Sequence, residues 1–320
     1  MSSRLRSALV TGATGFLGSV LVKRLLAKDV QVTCLVRPHS LGKLASFRGD
    51  SRLHAVKLDE RDLQEQLAGL SAEVVFNFAS YGVREGDCDV ENMIEGNVSF
   101  LLRLLRATAG WPLRRFIHTG SCSEYGHPQR DGELIAETHP VHPATLYGAA
   151  KAASVLCGNS LASSLRVPFV TLRLFGVYGA AEAPQRLIPY IIARLLHGES
   201  VDLTGGEQVR DLLFEEDAAS AFLAAATSDG IESGEVYNVC SARPVSIREV
   251  GELVADALNQ TRELLHWGAR PYRAGEPMWL VGDNRRFRNA VRNWAPAVDL
   301  QEGVRRLVNH ARKAGQSSEK

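Results

Sequence analysis

Seven residues near the N-terminus restrict the fold of this chain more than any others. The apolar run Ser7 to Thr11 leads straight into Gly12-Ala13-Thr14-Gly15-Phe16-Leu17-Gly18, and Ser19 to Lys28 then carries Val20, Leu21, Leu25 and Leu26 at helical spacing. A strand, a glycine turn and a helix in that order gather backbone N–H groups and the positive end of a helix dipole at one point, which suits a pyrophosphate. Gly12 permits the tight turn, Gly15 lets the backbone approach the phosphates, and Gly18 lets helix and strand pack closely. Thr14, Phe16 and Leu17 fall in the same expected cofactor-binding turn. The spacing is GxxGxxG, not GxGxxG, and incidental glycines are the bland alternative. The flanking strand and helix and the place at the start of the chain favour a dinucleotide site.

The rest of the first half keeps the alternation. Gln31 to Val36, Leu53 to Leu58, Val74 to Ala79, Arg115 to Thr119 and Pro168 to Leu172 read as strands, and Phe100 to Thr108 and Ala149 to Leu165 as helices. Such alternation predicts an α/β fold with a Rossmann-type doubly wound parallel sheet. Beyond Arg173 glycine and proline punctuate the chain, and a smaller C-terminal α/β substrate domain is expected. Its expected elements are helices at Arg186–Leu196, Ile247–Leu258 and Leu300–Lys313 and a strand at Glu235–Cys240. The expected division is 1–172 for the dinucleotide-binding domain and 173–320 mainly for substrate, with segments around 235–258 returning to the first sheet. The polar tail Gly315–Lys320 is expected to be unstructured.

Composition removes whole classes of function. Lys and Arg number 37 against 36 Asp and Glu, so no basic excess points to nucleic acid. No apolar run approaches the ~20 residues of a membrane span, and no signal-peptide pattern opens the chain. Five scattered cysteines without a CxxC pair suggest neither a disulfide framework nor a metal site, and a cytoplasmic location is expected.

The second strand ends in Arg37-Pro38-His39-Ser40, without the acidic residue that would hold adenosine ribose hydroxyls. Arg37 and Ser40 can instead take a 2′-phosphate, which favours NADP(H), with NAD(H) possible. Arg37 can equally be a solvated loop cation or stack on adenine. Asp59 is placed either to accept from the adenine amine or to cap a helix before Leu63.

Tyr147 and Lys151 stand at i and i+4, one helical turn apart on one face. A free phenol titrates near ~10, too high for neutral acid–base work. A neighbouring ammonium and an oxidised nicotinamide lower it. A hydroxyl on the substrate oxygen completes a proton-transfer site, and Thr119-Gly-Ser-Cys-Ser-Glu-Tyr-Gly126, at a strand end, offers one.

These residues carry a resemblance. Thr11 to Gly18, Asn77-Phe-Ala-Ser80, Asn97-Val98, Ser121 to Gly126, Tyr147 to Lys151, Arg173-Leu-Phe-Gly-Val-Tyr-Gly179, Gly205-Gly-Glu-Gln-Val-Arg-Asp211 and Arg273-Ala-Gly-Glu-Pro277 run in one order along the chain. Together they resemble the extended short-chain dehydrogenase/reductases of the nucleotide-sugar epimerase/dehydratase/reductase type. The resemblance implies that Tyr147 is the catalytic acid/base, that Lys151 binds the nicotinamide ribose and that Ser121 hydrogen-bonds the reacting sugar oxygen. It places Ala79 beside the cofactor and gives Asn97 a structural task. Arg210 and Arg273 would grip the nucleotide diphosphate. Tyr81 and Arg84 open an expected substrate loop, and Ser123 and Gly176 are further expected substrate contacts. A homodimer through the helices spanning Asn92–Ala109 and Ala149–Leu165 is also implied.

Three departures narrow the expected reaction. The Asp-Glu pair that family dehydratases carry after the catalytic hydroxyl is Cys122-Ser123 here, which speaks against 4,6-dehydration, though Glu124 is close. The family's Asn in the Arg-x-Phe-Asn stretch is Gly176. The basic end of the second strand suits a net reductase drawing on NADPH. The expectation is therefore an NADPH-dependent ketoreductase acting on a nucleoside-diphosphate keto-deoxysugar, at C4, with a nucleotide-sugar epimerase as the alternative.

Overall fold

The structure is a computed structural model and describes residues 4–47, 49–59, 61–83, 86–127, 132–273 and 275–318. The first half supplies β1 (Ser7–Thr11), α1 (Phe16–Ala27), β2 (Gln31–Val36), β3 (Leu53–Lys57), α2 (Leu63–Gln66), β4 (Val74–Asn77), α3 (Val90–Ile94), α4 (Phe100–Thr108), β5 (Arg115–Ser121), α5 (Leu146–Leu165) and β6 (Phe169–Leu174). The remainder supplies β7 (Gly176–Tyr178), α6 (Leu187–Leu196), β8 (Val201–Asp202), β9 (Val209–Phe214), α7 (Glu215–Thr227), β10 (Val236–Val239), β11 (Pro244–Ser246), α8 (Ile247–Leu258), β12 (Leu265–His266), β13 (Trp279–Leu280), α9 (Arg285–Ala290) and α10 (Leu300–Ser318).

Seven strands form one sheet in the order β3-β2-β1-β4-β5-β6-β10, every neighbouring pair parallel. The expected doubly wound sheet is present. Its central strands read as near-continuous apolar runs because helices cover both faces. Winding reverses between β1 and β4, where Thr11 lies opposite Asn77. In an open α/β sheet the crevice at such a reversal, past the carboxyl ends of the strands, takes the ligand.

Alternation along β1 sends Ala8 and Val10 to one core with α1, and Leu9 to another with Leu101, Leu104 and Ala162 of α4 and α5. A separate core joins α6, α8 and α10. The cores cross the expected 172/173 division. Phe222 of α7 and Phe287 of α9 pack into the first core, whereas Val250 and Val254 of α8 belong with α6 and α10. Of the segment 235–258, β10 joins the large sheet beside β6 and α8 does not. A second sheet, β11-β9-β13 with β7 also on β9, lies beyond the first.

Several boundaries differ from expectation, two of them with a clear local cause. Helix α5 starts at Leu146, because the Thr145 side chain accepts the Gly148 N–H (3.0 Å) and caps it early. The C-terminal segment, expected to be unstructured, continues α10 through Ser318, since each added residue of an existing helix gains a backbone hydrogen bond. Among the described residues no helix is long and apolar enough to cross a membrane, and no three metal-ligating side chains gather.

Candidate active site

The glycine turn is shaped by contacts that exclude side chains. Gly12 has φ +64°, and a Cβ there would lie 2.7 Å from the Phe78 carbonyl carbon. A Cβ on Gly18 would strike the Gly12 carbonyl oxygen, so the first turn of α1 rides directly on the loop. Gly15 caps α1 without a side-chain hydrogen bond, and a Cβ there would meet only the Gly12 oxygen, at 3.2 Å. The N–H groups of Phe16, Leu17 and Gly18 open the helix with no acceptor inside it. The Leu17 side chain is buried in the core, so only its backbone faces this cradle, beside half-buried Thr14. The turn fits a pyrophosphate.

The other cofactor candidates fall along the same crevice. The Ala79 N–H donates to Thr11 Oγ1 (3.2 Å), which fixes the β4 exit against β1. Arg37 is exposed just past β2. Ser40 is buried, and its N–H donates to the Arg37 carbonyl (2.9 Å). The Asp59 carboxylate is held by Arg61 (2.8 Å), which lowers it from the usual carboxylate range. It does not cap a helix: the Asp62 side chain takes the Gln64 N–H (2.8 Å) and caps α2 instead.

The proton-transfer groups converge from three elements. Ser121 ends β5, and its backbone N–H donates to Glu124 Oε1 (2.7 Å) while its Oγ accepts from the Ser123 N–H (3.2 Å). A Cβ on Gly148 would strike the Ser123 carbonyl oxygen, so glycine at this position lets α5 press onto that turn. Tyr147 is thereby carried to the Ser121 turn, where its hydroxyl faces the Ser121 and Ser80 side chains. Burial raises the Tyr147 phenol, and these two hydroxyls pull it back. Lys151, one turn on, is 1% exposed. Burial pushes its ammonium down to about 8, partly offset by the Glu124 carboxylate.

Glu124 itself is spoken for. It is fully buried, its Oε2 accepts from Arg173 Nε (2.6 Å), and Arg173 lies 4.6 Å from the centre of the Tyr125 ring. Cys122 is buried and its thiol is pushed up to about 12 by burial. Neither is free to act as an acid.

The expected substrate residues are more scattered. Tyr81 follows β4, its N–H directed at Asn97 Oδ1 (3.4 Å), and Asn97 Nδ2 donates back to the Tyr81 carbonyl (2.9 Å). Arg84 lies outside the described residues. A Cβ on Gly176 would fall 2.6 Å from the Asp211 carbonyl oxygen, so this glycine packs β7 on β9. Arg210 is paired with Glu276, while Arg273 lies three residues before that carboxylate. Ser80 and Glu276 were not among the expected site residues. Ser80 ends the quoted Asn77-Phe-Ala-Ser80 stretch, but its partner sits 67 residues away in the chain, and no local pattern shows such a contact.

Comparison with known proteins gives the same picture. Residues 8–240 match the NAD dependent epimerase/dehydratase family. The chain is similar to the UDP-glucose 4-epimerase of Mycolicibacterium smegmatis, 31% identical over 318 residues, 96% of this chain and 99% of that one. It is 28% identical over 330 residues to the dTDP-glucose 4,6-dehydratase of Xanthomonas campestris pv. campestris, covering 94% and 92% of the two chains. The UDP-glucuronic acid 4-epimerase of Bacillus cereus, solved with UDP-glucuronic acid and NAD, shares the fold with TM-score 0.85 and 24% identity over 96% of this chain and 99% of that one. The chain belongs to the NAD dependent epimerase/dehydratase family, whose members are NAD-dependent enzymes of the extended short-chain dehydrogenase/reductase type.

Proposed function

We propose that this chain is a nucleotide-sugar epimerase that inverts a ring carbon bearing a hydroxyl group, C4 by likeness to the 4-epimerases. The observation that carries this reading is the placing of the Ser121 and Tyr147 hydroxyls on one site with Lys151, with no unengaged acid next to them among the described residues. Expelling water from a sugar needs an acid for the departing hydroxide. Cys122 is pushed up to about 12, Ser123 is neutral, and Glu124 is held by Arg173 and the Ser121 N–H.

When bound, the nicotinamide supplies a reversible hydride acceptor. Gly12, Thr14, Gly15, Phe16, Leu17, Gly18 and Ala79 would hold the dinucleotide, with Lys151 at the nicotinamide ribose. Tyr147 would take the proton of the sugar hydroxyl, its phenolate favoured by the Lys151 ammonium and an oxidised nicotinamide against the burial that raises it. Ser121 donates to the oxygen as it becomes a carbonyl. On the return step Tyr147 would give the proton back to the sugar oxygen, and inversion would require the cleft to let the keto sugar present its other face. Arg210, released from Glu276, and Arg273 would grip the diphosphate.

One observation favours a second reading. The exposed Arg37 past β2 suits the 2′-phosphate of NADP(H), and a net ketoreductase of a nucleotide-linked keto-deoxysugar would draw on that cofactor. We propose NAD(H) and NADP(H) as the cofactor pair to compare. A homodimer and a cytoplasmic setting, which suits five unpaired cysteines, complete the reading.

The test is incubation with NAD and UDP- or dTDP-linked hexoses, with the sugar product read by proton NMR. An inverted C4 is expected, and Tyr147→Phe should lower the rate by about 10²- to 10⁴-fold. NADPH oxidation by a 4-keto-6-deoxy substrate, with no inverted sugar, would overturn the epimerase in favour of the reductase.

A further inference from the structure

His118 lies in β5 three residues before Ser121, fully buried and stacked on Phe169 with ring centres 5.8 Å apart. Nothing in the proton-transfer scheme uses it. Both ring nitrogens are nevertheless engaged: Nδ1 is 3.1 Å from Asn77 Nδ2, and Nε2 is 2.9 Å from Ser154 Oγ.

The protons on this chain can be assigned from each end independently. Starting at β1, the Ala79 N–H donates to Thr11 Oγ1 (3.2 Å), and the Thr11 hydroxyl donates to Asn77 Oδ1 (2.6 Å). That orients the Asn77 amide, so its N–H faces His118 and Nδ1 must accept. Starting at α5, the Ser154 hydroxyl spends its one proton on the Lys151 carbonyl (2.7 Å). Ser154 must then accept from His118, so Nε2 must carry the hydrogen. The two ends demand the same tautomer. Five hydrogen bonds run in one direction, from Ala79 to the backbone of Lys151, through buried groups. Aligned donors of this kind polarise one another. Burial and the Lys151 charge both hold the imidazole neutral, which keeps Nδ1 an acceptor.

We propose that His118, as its Nε2–H tautomer, is a positioning residue that ties the Lys151 turn of α5 to the floor of the cofactor site at Thr11 and Ala79. This rests on the epimerase reading only for the choice of assay. The tie links β1, β4, β5 and α5 at the point where the sheet winding reverses. It fixes where Lys151, and Tyr147 one turn before it, stand against the nicotinamide. A misplacement of ~1 Å there is enough to cost about 10²-fold in rate.

The test uses the full chain labelled with ¹⁵N-histidine. The His118 resonance is assigned by its loss in His118→Gln. In the wild type it should show bare Nδ1 and protonated Nε2, unchanged from about pH 5 to about pH 8, where an ordinary histidine titrates. Asn77→Asp sets a carboxylate oxygen against Nδ1 and should place a proton there. Ser154→Ala should lower kcat by about 10- to 100-fold while cofactor affinity and melting temperature hold. A wild-type His118 that titrates or carries Nδ1–H overturns the proposal. So does a Ser154→Ala protein with wild-type kcat. If the wild type inverts no nucleotide sugar, the epimerase reading falls, and the His118 tautomer still decides the tie. Should Ser154→Ala fail to fold, Asn77→Asp decides it through the same two resonances.

Discussion

Lys151 is an ammonium group with 1% exposure, and the folded chain holds its proton more weakly than the unfolded chain does. Its pKa falls from 10.5 to about 8. Between those values the unfolded chain binds the extra proton, so stability rises as pH climbs through that window. Below the lower value the whole penalty is present. Replacing the group with an apolar side chain of similar length should therefore stabilise the protein where it is charged. Lys151→Met is expected to gain on the order of 3 kcal/mol at pH 7 at the cost of activity. Urea unfolding at neutral pH and near pH 10 checks this. The gain must shrink at the higher pH, and an equal gain at both would show that Lys151 carries no buried charge. In the proposed mechanism the same group is the one whose charge is needed, so the site would store instability where it does its chemistry.

At the scale of elements, the glycine turn is the part of the molecule most openly written in the sequence. Each glycine answers to a backbone contact within the strand–turn–helix unit or with the adjacent strand exit. Gly18→Ala forces a Cβ onto the Gly12 carbonyl, which is backbone and cannot swing aside. A loss of about 1–3 kcal/mol and a weakened NAD(P) affinity are expected, measured by chemical denaturation and cofactor titration. Gly42→Ala, where a Cβ meets nothing within 4 Å, is the control that should leave both unchanged. If Gly18→Ala bound cofactor as the wild type does, the close-packing role of that glycine would be wrong. Strand and helix positions were legible for the same reason as the turn: periods of 2 and 3.6 report which face is buried. The Tyr147–Lys151 pair was legible because i and i+4 share a helix face. The Ser80 contact to Tyr147, the press of Gly148 on Ser123 and the pairing of Arg210 with Glu276 were not. Each joins residues tens of positions apart, and a single chain carries no periodic trace of such meetings. Gly176 illustrates the limit well. It was expected at the substrate, and it also packs β7 on β9, where the Asp211 carbonyl fills the space a side chain would need.

At the scale of the whole molecule, the proposed homodimer can be tested on the apolar surface left exposed. Leu156 on α5 is 70% exposed, and Val90 and Ile94 on α3, which packs against α5, are 53% and 43% exposed. The other sides of α4 and α5 are buried in the core beneath the sheet. A symmetric dimer uses the same patch twice, so each apolar residue at its centre counts twice. Burying one leucine is worth about 1.5–3 kcal/mol, and two copies give ~3–6 kcal/mol, or roughly 10²- to 10⁴-fold in the dissociation constant. Light scattering should therefore find the wild type at twice 34.9 kDa and Leu156→Arg at the monomer mass in the micromolar range. A charged residue at that surface should leave the monomer fold intact, because Leu156 is 70% exposed. Leu156 also lies on the helix that carries Lys151, so a partner seated there would brace the catalytic helix from its outer side. A wild type that is monomeric at high concentration, or a Leu156→Arg protein that stays dimeric, would move the interface elsewhere and leave this apolar face unexplained.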